Sequence, residues 1–214
     1  MARNERRKDQ RPEEILEAAI AEFATRGYAE TRLEDVASRA GISKGLVYVY
    51  FRTKEELFKA AVRTLLVPRV EALRKQLEAS AESSEALIRG PILGLMKQVV
   101  GSRLGYVIRL MVAEGPKHPD LTAFYHEQVV SRGMALLRWI IARGVERGEF
   151  KPSPVMDFPQ LFVAPVLMSL IWKMLMERHQ HLDADAMLEA HIDILLGALK
   201  HDPETAPGSE RGPP

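Results

Sequence analysis

The sequence predicts an all-α protein, and three observations predict it. Apolar residues recur at i, i+3 and i+4 along nearly the whole chain, no stretch sustains the period-two alternation of a half-buried strand, and Ser, Thr, Pro and Gly stand where helices start and stop. A hydrophobic fraction of 46% over 214 residues is ample for a packed core.

The elements follow in order. From Glu13, residues Ile15, Leu16, Ala19, Ile20 and Phe23 keep helical spacing, with Pro12 at the start and Gly27 at the stop. Thr31 with Glu34 three residues on forms a capping-box pattern for a short second helix that carries Leu33, Val36 and Ala37 and ends at Gly41. Ser43 caps a third helix. Thr53 with Glu56 repeats the box ahead of a fourth, which carries Leu57, Phe58, Ala61, Val62 and Leu65. Pro68 predicts a kink there rather than an end, because Val70, Leu73 and Leu77 continue the period. Residues 79–85 are small and polar, a boundary between an amino-terminal head and a larger body. Further helices are predicted near 85–100, 102–113, 119–147, 158–179 and 184–200. Residues 47–51 alone have the composition of a strand, and capped neighbours on both sides argue against one. The segment from Asp202 is rich in Pro and Gly and is expected to be disordered. No internal repeat is visible.

Composition excludes several functions. Without cysteine the chain has no disulfide, thiolate metal site or cysteine nucleophile, which fits a reducing compartment, and a cytoplasmic location is expected. No run of 18 apolar residues occurs, since even 158–176 is interrupted by Gln160, Ser169 and Lys173, so no membrane partner is expected. The basic amino terminus has no apolar run behind it, unlike a secretory signal. G-x-S-x-G, phosphate-loop, dinucleotide and H-E-x-x-H motifs are all absent. His179 and His181 point apart at i, i+2, so neither an enzyme nor a metal or other cofactor is expected. Thirty basic and 29 acidic side chains leave a net charge of +1, so only local distribution can favour a polyanion.

Charge does not decide it, since residues 1–60 hold 12 basic and 11 acidic side chains, but the pattern of one segment points to DNA. A short helix, a glycine turn and another short helix outline a helix-turn-helix, in which the first helix braces the second against DNA. Ile42 and Val47 face the head's core with Leu33 and Val36. Ser43, Lys44, Gly45 and Tyr48, with Leu46 and Val49 beside them, then face outward, a surface of hydroxyl, ammonium, glycine and phenol suited to groove docking. Lys54 adds a cation at a helix start that already attracts anions, and Tyr50 offers a hydroxyl to the same strand.

These residues carry a resemblance. Gly27-Tyr28-Ala29-Glu30-Thr31, the run from Val36 through Ala-Gly-Ile-Ser-Lys-Gly to Tyr48-Val49-Tyr50-Phe51, and Lys54-Glu55-Glu56-Leu57 resemble the amino-terminal domain of the TetR family of transcriptional regulators, in register over residues 13 to 65. The resemblance implies DNA contacts at Thr31, Ser43, Lys44, Gly45, Tyr48, Tyr50 and Lys54. Leu46 and Val49 stand where relatives vary. It further implies a basic flexible arm (1–12), a helix-turn-helix DNA-binding domain (13–60), a helical effector-binding and dimerisation domain (61–201) and a disordered tail (202–214). The expected partners are a palindromic double-stranded DNA operator, a small, largely apolar effector and a second copy of the chain, with repression as the outcome.

The body is read in that light. Leu161, Phe162, Val166, Leu167, Leu170, Ile171 and Met174, together with Met187, Leu188, Ile192, Leu195, Leu196 and Leu199, make the last two helices more apolar than one buried face requires. The family resemblance implies a four-helix bundle between two subunits there. Eight of nine methionines lie after residue 90, where relatives keep an effector pocket, so Met96, Tyr106, Phe124, Met168 and Trp172 are the candidate lining. Arg109 interrupts an apolar run as a candidate receiver of an anionic group, with pairing to Glu114 as the competing role.

Overall fold

A computed structural model describes residues 2–102 and 104–200, with side chains from Pro12 onward. Every regular element among them is helical. The side chains of the basic arm and the tail from Asp202 lie outside the described residues.

Helix α1 (Ala2–Arg26) encloses Pro12, which removes one backbone bond without ending the helix, so the helix starts well before Glu13. The capping box expected at Thr31 and Glu34 forms one residue later. The Arg32 N–H donates to Asp35 Oδ2 at 3.0 Å ahead of α2 (Leu33–Ala40), while the Thr31 hydroxyl turns inward to the Gly27 carbonyl at 2.7 Å. Gly41 takes φ +65°, and Ile42 N–H closes on the Ala37 carbonyl at 3.0 Å. An added Cβ at Gly41 meets nothing within 4 Å, so the demand for glycine is conformational rather than steric.

Helix α3 (Lys44–Tyr50) is too short to stand alone. Its neighbours hold it: Ser43 Oγ accepts from Leu46 N–H at 3.3 Å, and Val47 is wholly buried. Helix α4 (Lys54–Ala61) is capped by Thr53, whose Oγ1 accepts from Glu56 N–H at 3.1 Å, and Glu56 reaches back to the Arg52 N–H at 2.8 Å. A π-helical turn (Val62–Leu66) then leads into α5 (Val67–Ala79), making one rod. Pro68 has no N–H to donate, so the helix bulges just upstream instead of breaking, and the Arg69 guanidinium donates to the Leu65 carbonyl.

The head's core gathers Ile15, Phe23, Val36, Val47, Leu57 and Phe58, and it does not close on itself. Leu104, Val107 and Leu110 of α8 (Leu104–Glu114) and Leu121 of α9 (Pro119–Tyr125) complete it. Head and body therefore share apolar contacts, which favour moving them together over moving them independently.

The link after α5 is fastened by Arg143, which donates to the Ser80 and Glu82 carbonyls at 3.1 and 2.8 Å and to Ser84 Oγ at 3.2 Å. Helix α6 (Ser84–Leu87) runs through a π turn (Ile88–Ile92) that holds Pro91 into α7 (Leu93–Gly101). Helix α9 likewise runs through a π turn (His126–Val130) into α10 (Ser131–Glu146). After α10, Phe150 folds back over Gly144, where an added Cβ would lie 2.1 Å from the ring.

Helix α11 (Gln160–Leu175) stops short of the expected His179 because the chain curls back: Met176 N–H bonds the Trp172 carbonyl at 2.7 Å and Trp172 Nε1 donates to the Gln180 carbonyl at 2.9 Å. Pro165 leaves the Leu161 carbonyl without its helical donor, and His191 Nε2 of α12 (Ala184–Leu199) supplies one at 2.7 Å. Phe162, Leu170, Leu188 and Ile192 pack these helices into the body's core with Ile88 and Ile140.

Candidate nucleic-acid interface

Burial sorts the residues of α3. Val47 is inside, Leu46 is half-buried, and Ser43, Lys44, Gly45, Tyr48, Val49 and Tyr50 are exposed, Tyr48 to 41% and Val49 to 77%. Alternation within two helical turns produces this split, so the outward face is that of the sequence expectation.

Two of the outward polar groups, Lys44 and Tyr48, are already engaged with one acid. Glu34, on α2, forms an ion pair with the Lys44 ammonium and accepts the Tyr48 hydroxyl at 3.2 Å. Lys44 Nζ lies 5.6 Å from the centre of the Tyr48 ring. The ammonium, then the backbone N–H of Glu34 itself and the phenol, hold the Glu34 carboxyl below the usual carboxylate range, and Glu34 raises the Lys44 ammonium in turn.

Lys54 and Thr31 depart from expectation. The Lys54 ammonium donates to the Tyr28 and Ala29 carbonyls at 2.9 and 2.6 Å and lies 4.8 Å from the centre of the Tyr28 ring. Two of its three donors are spent on the turn between α1 and α2. Thr31 is 2% exposed with its hydroxyl on the Gly27 carbonyl, so it builds this same turn rather than facing outward.

The turn is also gripped from the body. Tyr28 stacks against Phe23 (5.4 Å between ring centres), Phe58 (6.1 Å) and His118 (4.7 Å), the last lying just before α9. Burial first, and the Glu55 charge second, push the Tyr28 phenol up to about 12. A body side chain thus bears on the ring that supports Lys54.

The six residues proposed for an effector are divided between the two cores and the surface. Met96 belongs to the body's core, whereas Tyr106 and Phe124 pack on the head's core. Met168 is 52% exposed on α11, and Trp172 is tied to Gln180. The Arg109 guanidinium lies 4.3 Å from the centre of the Tyr106 ring, while Glu114 pairs with Lys117 at 3.5 Å. Periodicity marks a residue as inward-facing and does not say which of two cores it enters. A cavity of about 330 Å³ lies elsewhere, where α1, α5 and α8 meet, lined by Glu17, Ile20, Leu65, Arg69, Leu104 and Val107 together with Ser102. Among the described residues, no cluster of His, Asp and Glu could hold a metal, and no helix is long and apolar enough to cross a membrane.

Sequence reasoning overlooked Glu34 as part of this face. Glu34 and Lys44 are ten residues apart with a glycine turn between them, so no helical period links them. Only the crossing of α2 and α3 does.

Comparison with known proteins bears on the same stretches. Residues 15–61 match the family described as bacterial regulatory proteins, tetR family, and residues 88–191 match a tetracyclin repressor-like C-terminal domain. The uncharacterized HTH-type transcriptional regulator YfiR of Bacillus subtilis is 45% identical over 75 residues, 35% of each chain. The HTH-type transcriptional repressor KstR2 of Mycolicibacterium smegmatis is 24% identical over 192 residues, 88% of this chain and 90% of that protein. The chain spans 35% to 60% of the length of the first curated relatives it matches. In fold, it is similar to the transcriptional regulator FadR of Bacillus subtilis, solved in complex with stearoyl-CoA, with a TM-score of 0.72 at 20% identity over 87% of this chain and 98% of that one.

Proposed function

The chain belongs to the tetR family of bacterial regulatory proteins, and on that premise we propose that it is a cytoplasmic, ligand-responsive transcriptional repressor. It grips a palindromic duplex operator as a homodimer and releases it when a small, apolar effector occupies the body. One observation carries the DNA-binding half of this proposal. Helix α3 turns Ser43, Lys44, Gly45, Tyr48 and Tyr50 outward and commits only Val47 fully to the core. Gly45 admits the phosphate backbone closely, Ser43 and Tyr50 present hydroxyls to it, and Lys44 and Tyr48 reach phosphate or base edges. Lys54 acts twice, with one donor left for a phosphate and two fastening the turn beneath it.

A single head covers too few base pairs for a unique site, so two heads at a fixed spacing are required. The second copy docks on α11 and α12, where Phe158, Leu161, Leu167, Leu175 and Ile194 are exposed. Homology supports repression, since KstR2 is named a repressor. An apolar effector is supported by FadR, whose structure holds stearoyl-CoA.

Coupling runs through the rod of α4 and α5. Phe124 on α9 lies 4.8 Å from the Arg63 guanidinium within the π turn and 5.6 Å from the Lys59 ammonium. A ligand that displaces α8 or α9 therefore acts on the bulged segment beside Pro68 and, through His118, on the Tyr28 turn. It shifts the spacing of the heads only as far as it prefers one spacing over the other.

Selecting bound duplexes from a random-sequence pool tests the proposal. The expected result is a palindrome whose half-sites are about one helical turn apart or a multiple of it. Recovery of duplexes without a consensus refutes operator recognition.

A further inference from the structure

We propose that Glu34 is a specificity-determining residue of the α3 face, holding Lys44 and Tyr48 in a closed cluster that opens only on a duplex returning both contacts. This inference rests on the proposed binding of duplex DNA and assigns a role to a residue outside the outward-facing set on α3.

The cluster has three members on two helices. The Glu34 carboxylate of α2 is ion-paired with Lys44 Nζ, accepts the Tyr48 hydroxyl at 3.2 Å, and thereby seats the ammonium 5.6 Å from the centre of the phenol ring. Two of the side chains most able to reach base edges therefore share one acid. All three remain in contact with solvent, so the pairing can exchange for DNA without unfolding the head.

Electrostatics then separates two kinds of duplex. Nonspecific affinity comes from cations that neutralise phosphates and release counterions. A Lys44 already neutralised by Glu34 adds little to that count. To contact a duplex of any sequence, Lys44 and Tyr48 must first leave the same carboxylate. Only where a base edge and a phosphate meet both groups is that loss repaid, so the acid weakens indiscriminate binding more than operator binding. Specificity is a difference of affinities, and Glu34 widens it by penalising the wrong partner.

The test compares wild type, Glu34→Gln, Lys44→Ala and the double variant on a random-sequence duplex and on the selected operator, across a range of salt. Glutamine keeps the shape and an acceptor for Tyr48 while removing the charge, and matching thermal melting confirms that each variant is folded. On the random duplex, Glu34→Gln is expected to steepen the dependence of log K on log salt by about 0.9 and to bind roughly eight-fold tighter at 0.1 M salt. The operator gain is smaller, so the ratio of operator to random affinity falls. In the Lys44→Ala background the same substitution leaves the slope unchanged.

An unaltered slope and ratio in Glu34→Gln overturn the proposal. So does an equal steepening in the absence of Lys44, which would make the effect one of general charge. A wild type that binds neither duplex fails the proposed function itself, whereas a binding wild type with an indifferent Glu34→Gln fails this inference alone.

Discussion

Among the described residues, α3 and the carboxy-terminal helix pair each expose several large apolar side chains, and they differ in what surrounds them. On α3, Tyr48, Val49 and Tyr50 stand among Ser43, Lys44 and Glu34, and the Tyr48 hydroxyl and the ammonium are bonded. Before and along the carboxy-terminal pair, Phe158, Leu175 and Ile194 are exposed, the last to 68%. Two acids of α12 are turned to cations of the same subunit, Asp193 to Arg89 at 2.5 Å and Glu189 to Lys97. Exposure alone does not name a partner. Polar groups that can be exchanged mark a face for a hydrated polyanion, and polar groups consumed at home leave a face for another apolar surface.

The largest expected effect breaks the second surface. Leu175→Asp with Ile194→Asp places four charges in the proposed symmetric interface, so sedimentation should report monomers and operator affinity should fall on the order of a hundred-fold as two linked half-sites become one. The helical circular dichroism should not change. A variant that stays dimeric would erase the contrast between the two faces.

Next in size, Tyr48→Ala breaks the first surface. Operator binding should weaken by about 1–3 kcal/mol, read by fluorescence anisotropy, with sedimentation unchanged. Lys54→Ala sharpens the comparison within the head. Because its ammonium fastens the Tyr28 and Ala29 carbonyls, the variant should melt earlier by an amount near 1–3 kcal/mol as well as bind less tightly, whereas Lys44→Ala should melt as wild type does. Equal melting of both variants would make Lys54 a plain contact residue.

The smallest effect concerns the support beneath Lys54. The Tyr28 phenol lies at about 12 in the fold against 10.0 ordinarily. A raised folded value favours the protonated form, so this contribution is intact below pH 10.0 and is lost as pH rises toward about 12. Burial also pushes Tyr125 up to about 12, so Tyr28→Phe should flatten the alkaline loss of stability in part, not wholly. A melting curve with unchanged pH dependence would remove Tyr28 from this account.

The legible features share a short range. Ser43 and Thr53 as caps, Gly41 as the turn, and Val47 inside with Tyr48 outside are each decided within four residues, by the orphaned N–H groups of a helix start and by helical period. That the helix runs on past Pro68 was legible too, since Val70, Leu73 and Leu77 keep its period, while the π turn upstream of the proline was not. What escaped was set at a distance or by competition. Arg32 rather than Thr31 led α2, because the Thr31 hydroxyl found the Gly27 carbonyl instead. Met96 and Tyr106 both read as inward residues of neighbouring helices and entered different cores.

By itself, then, the sequence determined that the chain is helical, the caps at Ser43 and Thr53 and which side of α3 meets solvent, since local backbone bonding and side-chain periodicity need no knowledge of the rest of the chain. Tertiary structure alone decided that Glu34 closes on Lys44 and Tyr48, that Lys54 serves the Tyr28 turn, and that α8 and α9 complete the core of the head. Those pairings join residues from ten to more than sixty positions apart, and a contact across such a span exists only once packing has brought its two ends together.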